Sequence, residues 1–195
     1  MRDIPHSTLA TIAFDMAVGR GDVGTARRAL EQGAHTDRLN GSGQTALSEV
    51  ARNATTPINR EMIELLGKVP GLLEMPNSYG RTPLMEAART GRDWNVELLL
   101  SLGAQVHTQE STSGLTALAH AITSGNRGCA QALVRLGGWD MSYQTQAGDT
   151  PESLAERYFA TEEVSRLREL HIAWQAGQME ASTPQAGSRS VRARP

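Results

Sequence analysis

The sequence predicts an all-α solenoid of about five helix-turn-helix units, each about 34 residues long. Three markers carry this prediction, because each recurs along the chain with one common period. A glycine two residues before a helix-capping threonine recurs at intervals of 37, 34 and 34 residues. Two further glycines, which would end the first and the second helix of a unit, each recur at intervals of 70 and 34 residues. The three sets are Gly43, Gly80, Gly114 and Gly148; Gly21, Gly91 and Gly125; and Gly33, Gly103 and Gly137.

The stretch from Gly80 to Ala104 shows why each position of the unit has its residue type. Thr82 can accept a hydrogen bond from an unpaired backbone N–H at the helix start, and Pro83 occupies the first helical position, which needs no N–H. Gly91 and Gly103 allow the backbone to leave the two helices. Apolar residues at helical spacing predict the core-facing sides, which are Leu84, Ala87 and Ala88 on the first helix and Val96, Leu99 and Leu100 on the second.

Together these residues resemble the ankyrin repeat. The matching positions are Gly80, Thr82, Pro83, Leu84, Ala87, Ala88, Gly91, Val96, Leu99, Leu100, Gly103 and Ala104. The family motif has a histidine after the leucine, where this chain has Met85, Ser48 or Ala119. The resemblance extends over residues 9–174 and implies an ankyrin-repeat solenoid with short β-turn tips. It implies a way of binding and no reaction.

The markers divide the chain into a lead-in, five units and a tail. The predicted segments are the lead-in 1–8, the units 9–39 (N-terminal cap), 40–76, 77–109, 110–143 and 144–174 (C-terminal cap), and a disordered tail 175–195. The second unit has three extra residues, expected near 54–57, and its second helix is predicted to bury Met62, Leu65 and Leu66. In the last unit Glu152 replaces the buried leucine and is expected to point to solvent or to the final helix.

Composition limits the class of protein. The net charge of −2 gives no general attraction to nucleic acid. The sequence contains no stretch of 18 apolar residues, so no membrane span is predicted. The single cysteine, Cys129, excludes an intramolecular disulfide, fits a reducing compartment and is interpreted as a small core residue. The N-terminus lacks a long apolar segment, so no secretory signal is expected. We therefore expect a cytoplasmic chain, monomeric on its own, with neither nucleic acid nor membrane as a partner.

No motif indicates catalysis. The histidines do not pair with Cys, Asp or Glu at metal-ligand spacing, and no nucleophile elbow, P-loop or dinucleotide fingerprint occurs. The five histidines are His6, His35, His107, His120 and His171, and each is given a structural role. We expect no enzyme, no cofactor and no metal. A close carboxylate pair, or Cys129 beside a histidine in a pocket, would reopen that question.

The resemblance implies a concave binding surface built from the turn tips and the exposed side of the first helices. The predicted partner-binding residues there are Ser78, Tyr79, Arg81, Met85, Arg89, Thr112 and Leu115, with Ser42 and Gln44 as the tip positions of the second unit. Tyr79 beside Arg81 is a combination enriched at binding hot spots. The alternative is that Tyr79 packs on the adjacent turn.

Trp94 is the remaining candidate for partner binding. The repeat places it where ankyrin repeats usually carry an exposed polar residue, so an exposed Trp94 would indicate a contact surface on the side of the second helices. The alternative is a local shift of the helix that buries Trp94 in the space left by Asp93.

Two classes of function follow. The first is a protein-interaction module that binds one protein partner by its concave face, as an adaptor, a bacterial effector or an inhibitor or immunity-type protein. Arginine far outnumbers lysine, which suggests GC-rich bacterial coding. The second is an accessory structural subunit of a stable assembly, held through an apolar patch with Trp94 and Trp139. The mostly polar tips favour a separable partner.

Overall fold

The computed structural model describes residues 6–53, 56–140 and 143–182. Ten α-helices form from these residues, and no strand occurs among them. In chain order they are α1 (His6–Arg20), α2 (Val23–Glu31), α3 (Ala46–Arg52), α4 (Pro57–Leu66), α5 (Pro83–Arg89), α6 (Asp93–Ser101), α7 (Ala117–Thr123), α8 (Arg127–Gly137), α9 (Pro151–Tyr158) and α10 (Thr161–Ser182). The prediction of an all-α ankyrin-repeat solenoid is confirmed.

The helices pack in two layers. The first helices of the units, α1, α3, α5, α7 and α9, lie side by side in one layer, and the second helices, α2, α4, α6, α8 and α10, form the other. Each first helix also packs against the second helix of its own unit. The core lies between the layers and along the contacts between units, as expected for a solenoid whose units bury their apolar faces against their neighbours.

Threonines begin four of the first helices, as the sequence predicts. Thr45, Thr82, Thr116 and Thr150 each accept a hydrogen bond from the backbone N–H three residues further on. Pro83 and Pro151 each occupy a first-turn position that needs no backbone donor. The turn before each helix closes on a glycine with a positive φ, such as Gly80 at 77°, whose N–H donates to the carbonyl oxygen of Asn77 at 2.9 Å.

Asparagines at the start of two second helices hold neighbouring units together. The side-chain nitrogen of Asn95 donates to the carbonyl oxygen of Ala51 at 2.9 Å, near the end of the preceding first helix. Asn126 makes the equivalent contacts one unit later, with the carbonyl oxygens of Ala88 and Arg89, both at 2.8 Å. These bonds satisfy carbonyl groups that a helix end leaves without an intrahelical partner.

The second unit differs from its prediction in two respects. Its three extra residues do not all lie between α3 and α4: one lengthens that connection, one lengthens α4, and one lies between α4 and Gly80, as comparison with α5, α6 and Gly114 shows. Residues 54–55 of the predicted insertion lie outside the described part. On α4 the buried side chains are Met62, Ile63 and Leu66, while Leu65 is half-buried. The apolar face is therefore turned slightly from the predicted one.

Both ends of the described chain are more helical than the sequence indicated. α1 begins at His6, inside the predicted lead-in, and α10 continues to Ser182. Residues 175–182 of the predicted disordered tail are therefore helical, and the rest of that tail lies outside the described residues. Glu152 points to the final helix, as one of its two alternatives had it, because its carboxylate accepts from the Arg168 guanidinium at 2.6 Å. The boundaries of the units themselves stay a prediction.

A histidine in the C-terminal cap makes the stability of the fold depend on pH. Nδ1 of His171 accepts from the backbone N–H of Trp139 at 3.0 Å, and its ring stacks on Trp174. Burial lowers the pKa of His171 below its usual value of about 6.5. The unfolded chain therefore takes up this proton first, so the stability contribution is complete above about pH 6.5 and decreases as the pH falls toward the folded pKa.

We expect the urea midpoint of the wild type to fall between about pH 7.5 and about pH 5.5, and His171→Gln to reduce that fall. The glutamine oxygen can accept the same backbone hydrogen bond but does not titrate. Replacing the exposed His107 by glutamine is the matched control and should leave the fall unchanged. A His171→Gln variant with the same pH dependence as the wild type would contradict this role.

Candidate functional site

The turn tips and the first helices form one continuous surface, which we call the tip surface. Between the second and third units this surface contains a groove of about 370 Å³. The residues that line the groove are Ser42, Gln44, Arg52, Tyr79, Arg81, Glu86 and Arg89. They come from two turn tips and from α3 and α5, so the groove exists only because consecutive units stack.

A chain of buried polar side chains forms the floor of the groove. Nδ2 of Asn77 donates to Oε1 of Gln44 at 2.9 Å, which joins the second unit to the third. The same nitrogen donates to Oε1 of Glu86 at 3.1 Å. All three side chains are buried. A buried polar network of this kind fixes the relative position of its members, because leaving any of them without a partner costs free energy.

Arg81 continues the chain of polar contacts into the fourth unit. Its Nη1 lies 3.3 Å from Oε1 of Glu86, and its Nε donates to Oε1 of Glu110 at 2.9 Å. Ser113 donates its hydroxyl to the other oxygen of Glu110. His120 lies behind Glu110, and burial lowers the pKa of its imidazole despite the carboxylate 3.5 Å away. A neutral His120 therefore does not form an ion pair with Glu110, and its Nε2 has no hydrogen-bond partner among the described residues.

The surroundings of Glu86 favour the ionised form of its carboxylate, although the side chain is fully buried. Burial by itself raises the pKa of Glu86, but hydrogen bonds and charge outweigh it, and the pKa lies below the usual value. Arg89 contributes most to the lowering, with its Nη2 at 2.8 Å from Oε2, followed by Asn77 and Arg81. The carboxylate thus holds two arginines on the floor of the groove.

Tyr79 and Arg81 do lie together on the tip surface. Tyr79 is 52% exposed, and the Arg81 guanidinium carbon lies 5.1 Å from the centre of its ring, a cation–π arrangement. Arg81 itself is committed to Glu86 and Glu110, so its main role in the structure is to connect units. Tyr79 is the large side chain that the pair offers to a partner, and its part in binding stays a prediction.

Two predicted tip-surface positions are buried, which corrects the expectation that a partner can reach them. Met85 is only 1% exposed, because α5 is flanked by α3 and α7 and paired with α6, so most of its residues face a neighbour. Gln44 is buried by its bond to Asn77. Leu115 is half-buried and packs on the core. Among the other predicted residues, Ser78 and Thr112 are exposed, and Arg89 is partly exposed beside Glu86.

Trp94 lies on the other layer. It is 63% exposed, so the alternative in which it is buried is wrong. It lines a separate groove of about 320 Å³ with the second-helix residues Leu98 and Leu136. Trp139, by contrast, is 4% exposed and packs edge-on against His171, so it cannot form an exposed patch with Trp94.

Sequence reasoning missed the polar residues that organise the groove. Asn77, Glu86 and Glu110 are not among the motif positions that carry the resemblance, and each has a partner between 9 and 33 residues away along the chain. Arg52 was also missed. One signal was available: Arg52 and Arg89 are 37 residues apart, the same interval that separates Gly43 from Gly80.

Cys129 is a buried core residue, as predicted. It is 1% exposed, and burial raises its thiol pKa to about 12, so the reactive thiolate is scarce at neutral pH. Across the part of the chain that the structure describes, no group of three or more His, Cys, Asp or Glu side chains is placed to hold a metal ion. Within the same residues, no helix is long and apolar enough to cross a membrane.

Comparison with known proteins supports the fold. The family model for ankyrin repeats in three copies matches residues 14–110. IkB-like proteins from two strains of African swine fever virus are 31% and 32% identical over 96 residues, which is 49% of this chain and 40% of each viral protein. The ankyrin repeat and SAM domain-containing protein 6 of Rattus norvegicus is 34% identical over 87 residues, 45% of this chain and 10% of the rat protein.

The match spans about two fifths of the length of the viral relatives. The matched region contains α2 to α6 and the groove between the second and third units. Ankyrin repeats are protein-binding units, and both the fold and the family model identify such repeats in this chain. This chain belongs to the ankyrin-repeat family.

Proposed function

We propose that this chain binds one protein partner through its tip surface and acts as an inhibitor-type protein that covers part of that partner. The observation that carries the proposal is the exposed Tyr79 above a floor of buried, mutually bonded polar side chains. A tyrosine held over a rigid floor offers contact area without a large loss of conformational freedom on binding. The exposed Ser78 and Thr112 on neighbouring tips extend the same surface.

The inhibitor-type role is supported by the name of the viral relatives, which are IkB-like proteins similar to this chain over 96 residues. A solenoid surface can block a partner without chemistry of its own, because occupying the partner's functional surface is sufficient. A role as an adaptor or as a bacterial effector would use the same tip surface. The accessory-subunit alternative has less support, since Trp139 is buried and does not extend an apolar patch.

The test is capture of partners from a lysate of the source organism by three immobilised forms of the chain. The wild type should retain one protein that the double variant Tyr79→Ala with Thr112→Ala loses, because both substitutions remove exposed tip side chains. Trp94→Ala is the matched control, since it removes an exposed aromatic side chain from the other layer. Circular dichroism checks that all three forms remain helical.

The opposite pattern of capture would contradict the proposal. A protein retained by the tip variant and lost by Trp94→Ala would place the binding site on the second helices and contradict the proposal. Where a partner is captured as expected, adding the purified chain should lower that partner's activity in proportion to occupancy. A partner with full activity at saturation would contradict the inhibitor-type role while leaving the binding site in place.

A further inference from the structure

Two arginines occupy equivalent positions in consecutive units. Arg52 is the last residue of α3 and Arg89 the last residue of α5. Because these helices pack side by side, both side chains line the same groove on the tip surface, together with Arg81 and the exposed Tyr79. Three arginine side chains therefore line a space of about 370 Å³.

The positive charge of this groove exceeds its negative charge. Two buried carboxylates, Glu86 and Glu110, neutralise part of it: Arg81 contacts both, and Arg89 contacts Glu86. Arg52 forms no ion pair with any residue in the described parts of the chain. The three guanidinium groups and two carboxylates together leave one excess positive charge. The excess is local, since the whole chain carries a net charge of −2.

Arg89 is incompletely paired as well. Its Nη2 donates to Glu86, but its buried Nε–H has no acceptor among the described residues. A buried donor without an acceptor costs free energy, and a donor on a charged group costs more. An anionic group that entered the groove beside Arg52 would offer the Arg89 guanidinium a further acceptor.

We propose that this groove binds a carboxylate side chain, Asp or Glu, from an acidic segment of the protein partner. The carboxylate lies between the Arg52 and Arg89 guanidinium groups, and Tyr79 packs against the apolar atoms of the neighbouring partner residues. Arginine guanidinium groups match carboxylates in shape and form short, charge-assisted hydrogen bonds. This inference rests on the proposed function and adds the chemistry of the partner.

The charge balance favours a carboxylate over a phosphate group. A carboxylate carries one negative charge, which matches the single excess positive charge of the groove, whereas a phosphoryl group carries about −1.5 to −2 at pH 7. The groove volume also fits a side chain of this size with its neighbours. An acidic protein segment, with one residue in the groove and others along the tips, is therefore the occupant.

The test measures binding of a fluorescein-labelled hexaglutamate peptide by fluorescence anisotropy at low salt. The wild type should bind with a Kd below about 1 mM, and Arg52→Gln should weaken binding about tenfold. Arg52 has no bonded side-chain partner among the described residues, so its replacement should leave the fold intact. Arg27→Gln is the matched control, since Arg27 is exposed on α2 in the other layer and carries the same charge. Its effect should stay within about twofold.

Three results would overturn the proposal. They are no saturable binding of hexaglutamate to the wild type, equal losses for Arg52→Gln and Arg27→Gln, and tighter Arg52-dependent binding of hexathymidylate, which would assign the groove to phosphate. Arg52→Glu is a second test variant, because reversing the charge should abolish hexaglutamate binding in the anisotropy measurement. If hexaglutamate fails while the tip variant still loses its captured partner, the binding function stands and only the carboxylate chemistry is refuted.

Discussion

Replacing Leu99 by alanine should destabilise the protein by about 2–5 kcal/mol, the cost of truncating a fully buried leucine. Leu99 lies in the last turn of α6 with no exposed surface, and α6 packs against helices of its own and of both neighbouring units. The missing atoms leave a cavity that three units share, so no single helix can move to fill it.

Urea unfolding followed by circular dichroism measures this effect. A loss of that size corresponds to a fall in the urea midpoint of about 1 M or more. The control is Leu136→Ala, which removes the same atoms from an exposed position on α8 and should change stability by less than about 0.5 kcal/mol. Equal midpoints for the two variants would show that the repeat register assigned to Leu99 is wrong.

Replacing Glu86 by alanine should cost about 3–5 kcal/mol, because it leaves buried cations without their partner. The carboxylate accepts from Asn77, Arg81 and Arg89 at distances of 2.8 to 3.3 Å, and its side chain has no exposed surface. Its loss would also remove one of the two carboxylates that hold the Arg81 side chain, which connects the third unit to the fourth. The structural effect should therefore extend to the turn tips.

The matched control is Glu64→Ala, which removes the carboxylate of an exposed ion pair with Arg60 on α4. That change should cost less than about 1 kcal/mol. The pH dependence gives an independent check. Because the pKa of Glu86 is lowered in the folded chain, its contribution is fully present above the unfolded pKa and is lost as the pH falls through the folded pKa.

The difference in stability between the wild type and Glu86→Ala should therefore shrink as the pH is lowered from about 6 to about 3. Urea midpoints at several pH values measure it. A difference that stays constant over this range would mean that the ionised form of Glu86 does not hold the arginines. A cost equal to that of Glu64→Ala at pH 7 would contradict the buried network itself.

The fold could be predicted because its determinants are local and repeated. A capping threonine, a proline at the first helical position and a glycine with positive φ act within a few residues of each other, so they can be recognised along the sequence. Thr82, Gly80 and Leu99 have the predicted roles in the structure. Repetition then decides the architecture, because identical units can bury their apolar faces only against one another.

The candidate site could be predicted only in part. Tyr79 is exposed at a turn tip and its part in binding stays a prediction, whereas Met85 is buried because neighbouring helices cover its position on both sides. The polar floor of the groove was not predicted at all. Asn77 and Glu110 find partners across unit boundaries, and hydrogen bonds of that range leave no periodic mark in a single sequence.

The sequence by itself determined the repeat, its helices, its turns and the buried positions that face the core, since these follow from backbone preferences and apolar spacing over short distances. Only the tertiary structure decided which polar side chains are buried, which arginines keep an unpaired charge, and that Arg52 and Arg89 share one groove. The reason is physical: burial and charge pairing depend on how closely consecutive units stack. Residues 29 to 37 positions apart come within bonding distance, or line one groove, only in the stacked solenoid.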